Sequence, residues 1–267
     1  MFSNTLMILL AACSTRPAET PAPVEAAAPE AARAEAPAEP AAVTGGDVLS
    51  TSVGDVTFRP LFHATFVMQH GDTTWVVDPW SQASLEGVRA DVVLITDIHQ
   101  DHLDPAAIAS ISGEETVTVG PPAVGEQIEL DHTLANGESV EVAGVQVLAV
   151  PAYNLQRGPS KGTLYHDKGR GNGYVLTFGD SRVYIAGDTE CTPEMRALED
   201  IDVAFVPMNL PYTMPPAEAA ECVRAFAPDV VYPYHHRESD VASFAQALEG
   251  SGVEVRIRDW YPGQSKD

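Results

Sequence analysis

Basic side chains are scarce in this chain: its 267 residues hold 15 lysines and arginines against 38 aspartates and glutamates, a formal charge of −23. A surface of that sign repels phosphate backbones, so nucleic acid is not an expected ligand unless bound metal ions locally invert the field. Cysteine is also rare, at 3 residues. Cys13 stands near the N-terminus, whereas Cys191 and Cys222 could pair in an oxidising compartment. Because Cys222 falls on a predicted helix and buried free thiols are common, the sequence favours two separate thiols. Long apolar runs are missing as well. Leu6-Met7-Ile8-Leu9-Leu10 is far shorter than the roughly 20 apolar residues of a spanning helix. Followed by the small residues Ala11-Ala12-Cys13-Ser14, it reads instead as a secretory signal over residues 1–13.

Leu10-Ala11-Ala12-Cys13 also resembles a bacterial lipobox, in which Cys13 becomes the lipidated first residue of the mature protein. The implied location is the cell envelope, on the periplasmic side, with the membrane engaged only through the lipid. Of the 26 residues from Pro17 to Ala42, all but Thr20, Val24 and Arg33 are Ala, Pro or Glu. Such a segment buries too little apolar surface to offset its ordering entropy, so residues 14–46 read as a semi-extended tether. Residues 47–267 are long enough for one sizeable core. With five of the glutamates and two of the arginines lying before residue 47, that domain alone carries (15 − 2) − (38 − 5) = −20.

Within the domain, short β-patterned runs alternate with helical ones, and an internal echo is visible. Phe66 to Val77 lines up with Tyr174 to Ile185: each reads as strand, Gly-Asp turn (Gly71-Asp72, Gly179-Asp180) and strand, and each runs close to an aspartate, Asp78 or Asp188. Each is then followed by an Asp-Val strand, at Asp91-Val92 or Asp202-Val203. Helices fit Pro105–Ser110, Pro193–Leu198, Pro216–Phe226 and Val241–Leu248, three of which open on proline. A duplicated sheet-plus-helix unit suggests an α+β chain with two sheets face to face and helices outside.

The densest chemistry follows the buried run Val92-Val93-Leu94-Ile95. There Asp97, His99, Asp101, His102 and Asp104 crowd a loop released from a strand end, where side chains can be aimed at one point. Imidazole and carboxylate together suit a divalent metal and leave a position open for water. Gly187-Asp188-Thr189 follows Val183-Tyr184-Ile185, and Tyr234-His235-His236 follows Val230-Val231. Three strands releasing Asp or His at one edge is the arrangement a metal pocket requires, because a rigid sheet holds the ligands convergent.

These residues, in this order, resemble the metallo-β-lactamase superfamily, in a branch similar to lactonase-like and phospholipase D-like metallohydrolases. The resemblance is carried by His63-Ala64, Val76-Val77-Asp78-Pro79, the Asp-x-His-x-Asp-His loop, Gly173-Tyr174-Val175, Gly187-Asp188-Thr189 and Pro233-Tyr234-His235, and it covers nearly all of Val53 to Trp260. It implies a four-layer αββα sandwich with the site at the sheet edges. It further implies that His99 binds a first metal, Asp101 and His102 a second, that Asp188 bridges, that His235 completes the second site, and that Asp78 orients the ligand loop. The chain departs from the pattern where Asp97 replaces a first-site His, and where Tyr153-Asn154 stands at the place of another. Asp97 remains a competent oxygen ligand, and Asn154 or His166 could substitute. One or two ions are expected, zinc first, with oxygen-rich ligation also admitting manganese or iron.

The expectation is a hydrolase in which a metal-bound hydroxide attacks an ester, lactone, amide or phosphodiester, with Asp101 orienting or deprotonating it. His63, Tyr153, Asn154, Arg157, His166, Lys168 and Tyr212 are the expected substrate contacts. Arg157, Lys161, Lys168 and Arg170 cluster in an otherwise acidic chain, which suits a small anionic substrate. An alternative of a different class is a tethered metal-binding or sensing lipoprotein without turnover. A β-lactamase proper is disfavoured by the altered first site.

Overall fold

The computed structural model describes residue 1 and residues 46–264, so the expected signal and tether fall almost wholly outside the described residues. The first half of the domain runs β1 (Asp47–Thr51), β2 (Gly54–Phe62), β3 (Thr65–His70), β4 (Thr73–Val77), β5 (Ala90–Leu94), α1 (Pro105–Ile111), β6 (Ser112–Gly120), α2 (Pro122–Gly125) and β7 (His132–Thr133). The second runs β8 (Ser139–Val142), β9 (Val145–Ala152), β10 (Gly171–Phe178), β11 (Ser181–Ile185), α3 (Pro193–Arg196), β12 (Val203–Pro207), α4 (Pro216–Phe226), β13 (Val230–Tyr234), α5 (Val241–Ala247) and β14 (Glu254–Val255).

Each half forms its own seven-stranded sheet, in the order β1 to β7 and β8 to β14. The internal echo in the sequence is a repeat of topology. In both sheets the first four strands pair antiparallel and the last three add in parallel. Alternation along the strands builds the layers. Phe66 and Met68 of β3 face the other sheet while Val67 faces outward, and Tyr174, Leu176 and Phe178 of β10 alternate in the same way with Val175. Between the sheets Phe205 stacks on Phe66 at 4.4 Å and on Tyr232 at 4.9 Å. Burying such a side chain contributes about 1.5–3 kcal/mol. Outer cores close the sandwich: Met195, Ala219, Cys222, Val223, Phe226 and Phe244 cover the second sheet, and Ile108 and Ile111 the first. The architecture is the αββα sandwich.

The helices start where the sequence supplies a cap. The Asp104 carboxylate accepts the Ala106 and Ala107 amides ahead of α1, with Pro105 where no intrahelical donor is needed. Asp240 does the same for α5. The expectation of two free thiols is corrected, because Cys191 and Cys222 form a disulfide across Cα atoms 5.5 Å apart. The reason is tertiary. Cys222 does lie on a buried helical face, but that face packs on the loop between β11 and α3, which carries Cys191.

Candidate metal centre

The candidate ligands come from loops at the strand ends, and several sit in conformations that ordinary residues avoid. His63 after β2, Asp78 after β4 and His235 after β13 have φ of 58°, 44° and 46°. Left-handed backbone at non-glycine residues costs about 1–2 kcal/mol, and here it coincides with the functional loops. Gly187, at φ 66°, precedes Asp188, and a Cβ there would stand 2.7 Å from the Asn172 carbonyl oxygen, so this turn requires glycine.

Asp188 is the centre of the cluster. Its Oδ2 lies 3.3 Å from His102 Nε2 and 3.0 Å from His166 Nε2, and its Oδ1 lies 3.0 Å from His235 Nδ1. Burial alone would raise its pKa, but His235, His102 and His166 hold it well below the usual carboxylate range. Asp101 Oδ2 sits 3.1 Å from His63 Nε2 and 3.2 Å from His235 Nε2. Its burial is likewise outweighed, by His102, His235 and His63, so it is ionised. His102 is fully buried, and against that burial Asp188 and Asp78 hold its pKa well above the ordinary imidazole value. His235 is raised by Asp188 and Asp101 despite its burial, whereas burial, aided by His235, lowers His63 to about 3.

Asp78 orients this loop. Its Oδ1 accepts the Thr96 amide at 2.8 Å, and its Oδ2 accepts the Thr96 hydroxyl at 2.7 Å and stands 2.8 Å from His102 Nδ1. The Nδ1 proton of His102 is thereby fixed, and Nε2 is turned toward Asp188.

The fit to a cation is visible in what lacks a partner. His102 Nε2, His166 Nε2, His235 Nδ1 and Asp188 Oδ1 are all buried without a hydrogen bond. Buried polar atoms are rarely left so, and four of them converging from imidazoles and one carboxylate is the pattern of metal ligands. The side chains form overlapping groups whose donor atoms lie within 4.8 Å of one another: Asp97, His99, His166 and Asp188; His102, Asp188 and His235; and His63, Asp101 and His235.

The placements sort the expected site residues. His166, expected to touch substrate, joins the ligand cluster, with its Nδ1 held 2.5 Å from Asn154 Oδ1. Asn154 is itself buried and donates to Glu190 and to the Tyr212 carbonyl, so it supports an imidazole and does not face solvent. Asp97 is shared. Its two oxygens accept from Arg170 Nε and Nη2 at 3.0 and 2.8 Å, while Oδ2 lies 3.0 Å from His99 Nδ1. Against its burial, His99 and Arg170 bring its pKa down to about 2.

Three of the four cations of the basic loop, Arg157, Lys168 and Arg170, are paired with carboxylates from elsewhere in the chain. Arg157 pairs with Glu190 at 3.2 Å and Glu218 at 2.7 Å, and Lys168 meets Glu194, to which Tyr153 Oη also donates. Neither the 350 Å³ cavity beside Asp188 nor its 510 Å³ neighbour is lined by Tyr153, Asn154, Arg157 or Lys168, whose polar groups are engaged by Glu190, Glu194 and Glu218. Tyr212 does line one, of about 350 Å³, together with Trp80, His99, Gln100, Asp101, Tyr165, Asp188, Asn209 and Arg237. His63 lines a neighbouring cavity of about 510 Å³.

Three structural contributors were not read from the sequence. Glu190, fully buried, accepts the amides of Leu155, Gln156 and Arg157 and so shapes the loop that delivers Asn154. Its signal was its place directly after Gly187-Asp188-Thr189. Asn209 follows β12 at the same sheet edge, and Arg237 lies two residues past His235; strand-end position was the signal for both.

Comparison with known proteins agrees with this geometry. Residues 57–235 match the family model of the beta-lactamase superfamily domain. A metal-dependent hydrolase of Methanopyrus kandleri is 30% identical over 223 residues, covering 77% of this chain and 96% of the relative. Among solved structures, a protein of Parabacteroides distasonis described as a metal-dependent hydrolase is 38% identical, covers 81% of this chain and 99% of its own, and superposes with a TM-score of 0.77. The fold is shared more distantly with CmlA, a diiron β-hydroxylase from Streptomyces venezuelae, at 18% identity and a TM-score of 0.59 over 78% of this chain and 53% of that one.

Proposed function

This chain belongs to the metallo-β-lactamase superfamily and to its metal-dependent hydrolases, and we propose that it cleaves an ester, lactone, amide or phosphodiester bond in a small anionic substrate. The observation that carries this reading is the set of four buried, unpartnered ligand atoms around Asp188, beside a cavity large enough for a small molecule. When bound, a divalent ion would supply a Lewis acid and an acidified water. His102, Asp188 and His235 would hold one ion, and Asp97, His99, His166 and Asp188 would hold a second, with Asp188 common to both sets. Zinc is our first assignment. The oxygen-rich set also suits manganese or iron, and a fold neighbour is named as a diiron enzyme.

The residues divide the remaining work. Asp101 lines the cavity and is fixed by two imidazoles, so it orients the attacking water through its carboxylate. An acid held so far below neutrality is a weak base, which favours orientation over proton removal. Trp80, Tyr165 and Tyr212 wall the cavity and limit how the substrate enters.

One observation favours a second reading, a metal-binding lipoprotein without turnover: Arg170 engages both oxygens of Asp97 and draws that ligand away from the first position. We further propose that Cys13 is lipidated and holds the domain at the envelope. Loss of fatty-acid labelling in Cys13→Ser would support this; absence of labelling in the natural chain would refute it. The test of function is a panel of chromogenic esters, lactones, anilides and phosphodiesters, presented to chelator-treated protein with zinc, manganese or iron restored. Metal-dependent turnover of at least one class is expected. Stoichiometric metal uptake with no turnover of any class favours the second reading.

A further inference from the structure

The cavity over Asp101 and Asp188 and the neighbouring one, lined by Phe62, Val241 and Tyr261 among others, share two walls, Trp80 and Arg237. Arg237 is the single lysine or arginine lining either of them. Other cations near the metal face are already paired: Arg157 with Glu190 and Glu218, Lys168 with Glu194, and Arg170 with Asp97. The Arg237 guanidinium has no hydrogen bond or ion pair among the described residues, although the domain around it is strongly acidic.

Its origin is nevertheless fixed. Arg237 has φ of 45°, its amide donates to Tyr261 Oη at 2.6 Å, and two residues earlier the left-handed His235 donates its amide to the His63 carbonyl. Two left-handed residues in three, each tied down by a hydrogen bond, fix the turn from which Arg237 lines both cavities. An unpaired guanidinium lining two joined cavities beside the aromatic walls Trp80, Tyr165, Tyr212 and Tyr261 makes a binding site for an aromatic or apolar molecule carrying one negative charge.

Resting on the hydrolase reading, we propose that Arg237 selects the substrate's charge. Its guanidinium binds a carboxylate or phosphate, Trp80 packs against the apolar part, and the scissile bond is left over Asp101 and Asp188. Glu238 and Asp240 also line the outer cavity, but Asp240 is engaged in capping α5, and their charge makes a second anionic group there unfavourable. The selected substrate is therefore a monoanion.

The test measures binding without turnover. Zinc-loaded full-length protein is titrated with 2-naphthoate and with the neutral 2-naphthamide, following tryptophan fluorescence. Naphthoate affinity is expected to fall about tenfold in Arg237→Ala and Arg237→Gln, the size of one charge-assisted contact. Arg237→Lys should retain part of it, naphthamide affinity should be unchanged throughout, and melting curves should match. Equal loss for both probes, no loss for naphthoate, or no saturable naphthoate binding to the natural chain would each overturn the proposal. Because none of these readouts needs a hydrolysed substrate, the hydrolase reading stands or falls separately on the turnover panel.

Discussion

The two halves of the molecule repeat one topology but divide the site unequally, and the pair Asp78 and Asp188 shows why. In the first half Asp78 comes directly after β4 and bonds its amide to the Leu94 carbonyl of the next strand; in the second half the residue making that bond, from β11 to the Phe205 carbonyl, is Ala186. Asp188 thus lies two residues further out. The offset separates the roles. Asp78 stays wholly buried with both oxygens bonded to Thr96 and His102, whereas Asp188 reaches past the sheet edge and keeps Oδ1 beside His235 Nδ1 without a hydrogen bond. A repeated scaffold positions both carboxylates, and how far each extends past its strand decides which one orients and which one ligates.

Exchanging those roles should be impossible, and the largest effect is expected at Asp188. Asp188→Ala should abolish tight metal binding and activity together, measured by elemental analysis and turnover. Asp78→Ala should be milder for the metal, with affinity falling about 10–100-fold as for other residues that orient a ligand. It should also destabilise the fold by about 3–5 kcal/mol, because His102 would lose its buried partner; urea unfolding checks this. Equal metal loss in both variants would erase the distinction.

The halves also differ in their staple, since the disulfide lies wholly in the second. It links residues 31 apart in sequence, and Cys222→Ser should lower stability by about 2–4 kcal/mol, read as a lower denaturation midpoint. A smaller effect concerns protons. With His102 and His235 raised above the usual imidazole value by the carboxylates around them, both hold their protons more tightly than free imidazoles in metal-free protein, and a metal competes with those protons. Metal uptake should therefore release protons, and apparent affinity should fall as the pH is lowered. Calorimetry in buffers of differing ionisation enthalpy reads the release. The smallest effect is expected at Asp97, whose oxygens Arg170 already occupies: Asp97→Ala should lower occupancy by at most one ion per chain.

The duplicated hairpins and α4 were legible in the sequence because alternation or helical period marks them over several residues. β1, β7, β8 and β14 were not, since β1 and β8 are largely exposed along their length and the others are two residues each. At the site, the ligands that follow apolar strands were legible as a group. His166 was harder to place because it lies in an irregular stretch between β9 and β10, where no strand gives a direction. Arg157 and Lys168 looked available for substrate because their partners are distant in sequence: Glu190, Glu194 and Glu218 arrive from the second sheet's outer layer. Cys191 and Cys222, 31 residues apart, escaped for the same reason.

The most direct measurement is elemental analysis of the protein purified without chelator, alongside Asp188→Ala prepared identically. One or two divalent ions per chain in the natural protein and none in the variant is the expected result. No bound metal in the natural protein, or equal content in both, would contradict a metal centre built on Asp188.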